Sequence, residues 1–132
     1  MGCGSGLLSI MAVQAGAAHV VACDLSETMC NATRGALAPN NVRTEAITVA
    51  HCHSKELSVE GGGAHSLSRR VDVLVTETAD CGLLGERMLT SMQKAREALV
   101  TPGGVLIPKY ATVHVMLLSS PYLRSMAVVK GD

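Results

Sequence analysis

Two glutamates, Glu77 and Glu86, stand nine positions apart with Asp80, Gly82 and Gly85 between them. Ahead of them Val71, Val73, Leu74 and Val75 make a short β-branched run broken only by Asp72, the pattern of a strand covered on both faces of a parallel sheet. Ligands of open α/β sheets gather at the carboxyl ends of the strands, so Glu77 is predicted at a place where chemistry collects. The intervening polar loop contains glycine and can fold back to bring the two carboxylates face to face. Such a pair suits a flat cation, whose forked N–H donors two carboxylates accept together. Without a ligand, Glu77 reads as a solvated strand end and Glu86 as an acid complementing a helix N-terminus.

A second cluster lies at the front. Gly2, Gly4 and Gly6 precede a helical pattern, a buried-strand pattern follows from His19 to Cys23, and Asp24 ends it. Glycine loop, helix, strand and acid are the first half of a nucleotide-binding βαβ unit. A cofactor approaches the backbone closely only where there is no Cβ, the helix N-terminus offers free N–H groups, and Asp24, about 20 residues on, would accept hydrogen bonds from ribose hydroxyls. Leu7 stands where a GxGxxG fingerprint has its third glycine, so the GxGxG spacing fits S-adenosylmethionine better than NAD. The plain alternative is a glycine-rich loop without a ligand. Ser54 and Glu56, just past a strand at 46–50, are candidates to meet an adenine ring, against a reading as solvated loop residues.

These residues need a frame, and the periodicities supply one. Leu7, Leu8, Met11, Ala12 and Ala15 share a helical face that ends at Gly16, a C-cap. A second helix is predicted over 26–37, capped by Ser26, with Met29, Ala32, Ala36 and Leu37 inward. Residues 58–70 read as a surface connection. A third helix is predicted over 86–100 with Met88, Leu89, Met92, Ala95 and Leu99 inward. Pro102, Gly103 and Gly104 then turn into a strand at 105–107, Pro108 marks a boundary, and 111–118 reads as a further strand. The glycine loop ordinarily follows a strand, which is not in this sequence; the expectation is a truncated fragment, a short isoform or an incomplete gene model, with two inner sheet edges left open.

Composition sets the limits. With 132 residues, 48% of them hydrophobic, the chain has enough apolar content to fill one core, and that core is aliphatic, since there is no Phe or Trp and only two Tyr. A formal net charge of zero argues against a nucleic-acid or membrane surface. Five scattered cysteines without a CxxC pair read as reduced, small apolar residues, and His51, Cys52 and His53 lack the second cluster a metal site needs. The predicted compartment is cytosol or nucleus.

Three separate segments together resemble the protein arginine methyltransferases. GCGSGLLS is similar to that family's cofactor loop, VVACDLSETM to its ribose-binding acid and following helix, and VTETADCGLLGERML to its double-glutamate loop. GGVLIPKYATV resembles its passage into a substrate-binding β-barrel, and within the family the likeness is to the ninth member first and the seventh next. The resemblance implies an α/β, Rossmann-like class I S-adenosylmethionine-dependent methyltransferase fold over residues 1–107, with the start of a β-barrel domain at 108–132. It implies methyl transfer to a guanidinium nitrogen of a substrate-protein arginine, with Glu77 and Glu86 catalytic. Gly2, Gly4, Gly6, Asp24 and, by a looser match, Ser54 and Glu56 would hold the cofactor. It implies no metal, and a dimer or pseudo-dimer with a second methyltransferase module. Two other readings stand beside it: a non-catalytic fragment of the same fold acting through a partner, and a dinucleotide-dependent dehydrogenase, which the Leu7 spacing disfavours.

Overall fold

The computed structural model describes residues 1–59, 61–62 and 65–127. Its elements in order are α1 (Leu7–Gln14), β1 (Val20–Asp24), α2 (Glu27–Leu37), β2 (Ile47–His51), β3 (Ser58–Val59), β4 (Ser66–Leu67), β5 (Val71–Val75), α3 (Met88–Leu99), β6 (Val100–Ile107) and α4 (Pro121–Ala127). All strand pairs are parallel: β1 with β2, β5 with β6, and the two-residue β3 with β4. Alternate side chains of β1 enter different cores. Ala22 joins Ile10, Leu37, Val42 and Ile47 on the side of α1 and α2, and Cys23 joins Cys52, Leu57, Leu74, Ala95 and Leu99 on the side of α3. Helices therefore cover both faces, as in a doubly wound α/β fold.

Between the β1–β2 and β5–β6 pairs no strand lies among the described residues; the first residues of the chain bridge the gap at one end. The Met1 ammonium donates to the Val75 carbonyl at 2.8 Å, the Thr76 hydroxyl donates to the Met1 carbonyl at 3.1 Å, and the Cys3 N–H donates to the Cys23 carbonyl at 2.9 Å. The glycine loop is thus pinned between the carboxyl ends of β1 and β5. The open edge also explains why β5, expected to be covered on both faces, leaves Val73 about half exposed.

Several expectations need correction. In α1 the buried residues are Ser9 and Ile10, while Leu7, Leu8 and Met11 are exposed. The helix is apolar on nearly every side, so its period could not say which side faces inward. In α2 the buried face is Cys30, Thr33 and Leu37, with Ala36 half-buried and Met29 and Ala32 exposed. Helix α3 starts at Met88, two residues after Glu86; Met88, Ala95 and Leu99 are buried as expected and Leu89 is not. Residues 100–107 form one strand in place of a turn and a short strand, with a register shift between Val71 and Val73 of the partner. There Gly104 admits the Asp72 carbonyl, which a Cβ would meet at 3.0 Å. The 58–70 connection carries the β3–β4 pair. Residues 111–118, expected as a strand, form neither strand nor helix, because alternation alone does not make a strand without an edge to pair with. No helix among the described residues is long and apolar enough to cross a membrane.

Candidate functional site

The site grows from the glycine loop. Gly2, Gly4 and Gly6 all have positive φ, at 68°, 52° and 91°. A Cβ on Gly2 would fall 2.7 Å from the Thr78 methyl and 3.6 Å from the Glu77 carbonyl oxygen, so this glycine lets the loop lie against the chain leaving β5. A Cβ on Gly6 would fall 3.0 to 3.2 Å from Thr33, including its Cα, so here the loop presses on α2. Around Gly4 no atom stands within 4 Å of that position, which leaves its backbone open to an approaching ligand.

Asp24 holds the other side. One carboxylate oxygen accepts the Gly4 N–H at 2.9 Å and the other accepts the Ser26 N–H at 2.9 Å, tying the loop to the start of α2. Each oxygen keeps a further lone pair for a ligand hydroxyl. Ser26 caps α2 as predicted, its hydroxyl accepting from the Met29 N–H. The end of β2 closes on the same point: the Cys52 N–H donates to the Asp24 carbonyl, and the His51 ring nitrogen Nε2 donates to the Leu25 carbonyl at 3.0 Å.

Thr33 and Cys30 support the loop and the strand ends, and sequence reasoning missed both. Thr33 is fully buried and its hydroxyl donates to the Gly4 carbonyl at 2.9 Å. The Cys30 thiol donates to the carbonyls of Asp24 and Ala50, each at 3.7 Å. The signal was present as the i, i+3, i+7 spacing of Cys30, Thr33 and Leu37, disguised because two of the three side chains are small and one of those is polar.

Ser54 and Glu56 lie in a short 3₁₀ turn beyond β2. One Glu56 oxygen accepts the His53 N–H at 2.9 Å in a capping box, so the carboxylate already has a local duty, and Ser54 meets the His53 ring at 3.4 Å. The double-glutamate segment folds back through Asp80, which accepts the Gly85 N–H at 3.2 Å while its carbonyl accepts the Leu83 N–H. Glu77 and Glu86 are exposed, and among the described residues neither takes part in a hydrogen bond or an ion pair. Leu83 and Arg87 both sit at positive φ, 68° and 58°, so this loop is held in a conformation that side chains resist. Arg87 is the N-cap of α3. Replacing it with Gly is expected to raise the chemical-denaturation free energy by about 1 kcal/mol; a lower value would show that the arginine side chain makes a contact worth more than the strain.

The five cysteines are free thiols. Burial raises the thiols of Cys23, Cys30 and Cys52, the last to about 11, with neighbouring thiols and acids adding to the effect. A raised value means that the folded chain holds the proton more tightly than the unfolded chain. The stability that this confers is whole below pH 9.0 and is lost as pH rises towards 11. Each such thiol contributes a slope of up to about 1.4 kcal/mol per pH unit. Thermal melts should therefore show a midpoint that falls across this range, and Cys52→Ala should make the fall shallower; a midpoint flat over the range would contradict this assignment.

The arrangement leaves the backbone open at Gly4 and lone pairs free on Asp24, and Glu77 and Glu86 lie exposed on the chain that follows β5. Comparison with known proteins follows the same line. The family model described as Ribosomal protein L11 methyltransferase (PrmA) matches residues 1–108. The chain is 38% identical over 120 residues to an Arginine N(omega)-methyltransferase of Streptomyces achromogenes subsp. streptozoticus, covering 91% of this chain and 32% of that protein. It is 35% identical over 130 residues to Protein arginine N-methyltransferase 7 of Anopheles gambiae, covering 98% of this chain and 18% of that protein. Among solved structures, the Trypanosoma brucei PRMT1 enzyme-prozyme heterotetrameric complex with AdoHcy superposes with a TM-score of 0.67 at 31% identity, covering 81% of this chain and 31% of that one. The chain thus spans a third or less of the length of these relatives.

Proposed function

This chain belongs to the methyltransferase family that the PrmA model describes, with a class I S-adenosylmethionine-dependent methyltransferase fold, and from that premise we propose that it is the cofactor core of a protein arginine N-methyltransferase. In this reading it serves transfer of a methyl group from S-adenosylmethionine to a guanidinium nitrogen of a substrate-protein arginine. One observation carries it: the glycine loop is bound on one side by the Asp24 carboxylate, through Gly4, and on the other lies against the backbone carbonyl of Glu77 and the Thr78 methyl, through Gly2, at the start of the two-glutamate segment. Residues 1–107 are the cofactor-binding domain and a substrate-binding β-barrel begins at 108; of the 108–132 expected for it, 128–132 lie outside the described residues. The central strand of the sheet and the rest of the barrel lie outside these 132 residues, a placement supported by the small share of the relatives' length that the chain spans.

The residues fit the cofactor on the chain's own geometry. Open backbone at Gly4 admits its amino-acid end, Asp24 has lone pairs for the ribose hydroxyls, and Ser54 and Glu56 stand past the end of β2 for the adenine, Glu56 with the oxygen that the capping box leaves over. When bound, the cofactor supplies a sulfonium methyl group open to displacement by a nucleophile. Glu77 and Glu86 supply what an arginine needs. Its guanidinium is always protonated and its lone pairs are delocalised, so it attacks poorly until charge is drawn to one side and one nitrogen is aimed. Two carboxylates that accept its forked N–H groups do both. Orientation of this kind is worth roughly 7–11 kcal/mol of a barrier.

A likeness to the seventh member is supported by the Anopheles gambiae relative, and the ninth member's place ahead of it remains part of the proposal. A second methyltransferase module as partner is supported by the enzyme-prozyme assembly of the solved relative, and a cytoplasmic or nuclear setting by the unbridged, largely buried cysteines. The test is transfer of labelled methyl from S-adenosylmethionine to an arginine-containing peptide, with ribosomal protein L11 offered in parallel. Label on arginine that disappears in Glu77→Gln supports the reading; label on L11 alone, or an effect of the chain that persists in Glu77→Gln without transfer, replaces it with a different substrate or a non-catalytic role.

A further inference from the structure

The chain from Glu77 to Glu86 hangs between two fixed points. Thr76 is buried and its N–H donates to the Ile107 carbonyl of β6 at 2.9 Å, and Met88, at the start of α3, is buried as well. Glu77 therefore stands one residue from an anchor and Glu86 two, and the loop between them decides how the carboxylates sit with respect to each other. Asp80 closes that loop twice. Its carbonyl accepts the Leu83 N–H at 2.9 Å, and its carboxylate accepts the Gly85 N–H at 3.2 Å. The second bond ends on the residue directly before Glu86. No cationic side chain among the described residues forms an ion pair with Asp80, so the loop backbone is its partner.

Gly85 shows how closely acid and backbone are matched. Its φ is not positive, so conformation alone does not ask for glycine there. A Cβ on Gly85 would instead overlap the Asp80 carboxylate, and one on Gly82 would stand 3.9 Å from each of its oxygens. The approach of the acid is what excludes a side chain. We propose that Asp80 is a positioning residue for methyl transfer to arginine: by holding the Gly85 N–H it fixes the direction from which Glu86 meets a guanidinium that Glu77 takes from the β5 side. Resting on the reading of Glu77 and Glu86 as the substrate clamp, this role adds what keeps the clamp in shape. Both glutamates are exposed, and among the described residues neither takes part in a hydrogen bond or an ion pair. Without the Asp80 staple the freedom of the loop would have to be lost each time a substrate is gripped.

Steady-state kinetics of the full chain with an arginine peptide test this role. Asp80→Ala should lower kcat about ten- to a hundredfold, while calorimetry finds S-adenosylmethionine bound within about twofold of the wild type. Asp80→Asn keeps an acceptor oxygen for the Gly85 N–H and should stay within about threefold of wild-type kcat. Gly85→Ala should match Asp80→Ala when made alone and add no more than about twofold on top of it, since the two changes break one contact. Hydrogen exchange at the Gly85 amide, which needs no activity, should be at least about tenfold faster in Asp80→Ala than in the wild type or Asp80→Asn. Unchanged kinetics in Asp80→Ala, an Asp80→Asn as impaired as Asp80→Ala, fully additive effects of the two alanines, or a Gly85 amide indifferent to Asp80→Ala each overturns the proposal. A wild-type chain that methylates no arginine overturns the clamp reading itself and the positioning role with it; the wild-type control tells that failure from the others.

Discussion

Glu77→Gln is expected to lower methyl transfer to an arginine peptide by two orders of magnitude or more, with binding of S-adenosylmethionine changed by no more than about twofold. The substitution keeps the shape of the side chain and one acceptor oxygen but removes the charge. A hydrogen bond to a charged group contributes about 1.5–3 kcal/mol, and the loss of one such bond with a donor now facing the guanidinium adds repulsion, so a barrier increase near 2.7 kcal/mol is the lower end. Glu77 meets the glycine loop through its backbone, at the carbonyl beside Gly2, so the exchange leaves that contact in place. Glu86→Gln should act in the same direction. The two should not be additive, because in the proposed clamp both would grip one side chain. Steady-state kinetics with an arginine peptide, beside calorimetric titration of the cofactor, separate the effects. If Glu77→Gln retained activity within about threefold, the carboxylate pair would not be the substrate clamp, whatever else the fold binds.

What could be read from the sequence, and what could not, divides along a physical line. The glycine loop, the strand that ends in Asp24, the Ser26 cap and the Val71–Val75 strand were legible because each depends on local chemistry: a positive φ, a carboxylate beside free N–H groups, a β-branched run. The inward face of α1 was not legible, since Leu7, Leu8, Ile10, Met11 and Val13 leave no polar side to define an orientation, and packing on Leu37 and Val42 decides it. Thr33 escaped for the opposite reason. A threonine inside a helix looks like a solvated residue, and only the approach of Gly6 and the Gly4 carbonyl gives its methyl and hydroxyl something to do. The 111–118 segment carries strand chemistry without a strand because pairing is a property of the partner as much as of the segment.

Gly6→Ala and Gly4→Ala, one methyl each and two residues apart, should differ sharply in their effect. At Gly4 the new Cβ meets nothing within 4 Å, so the cost is that of holding an alanine at φ 52°, roughly 1–2 kcal/mol. At Gly6 the same conformational cost applies at φ 91°, and the Cβ arrives 3.0 Å from the Thr33 methyl and 3.2 Å from its Cα. The methyl could yield by rotating, but the Cα belongs to the backbone of α2 and moves only with the helix. Overpacking of that kind typically adds about 1–3 kcal/mol. Because Thr33 also donates to the Gly4 carbonyl, displacing α2 loosens the loop that Asp24 holds from the other side. The expected result for Gly6→Ala is a loss of about 2–5 kcal/mol, which for a chain of this size lowers the melting temperature by roughly 10 °C or more, with weakened cofactor binding. Gly4→Ala should melt within about 8 °C of the wild type and bind less well only by obstructing the ligand. Equal melting temperatures for the two variants would mean that α2 does not bear on Gly6, and the buttressing role assigned to Thr33 would go with it.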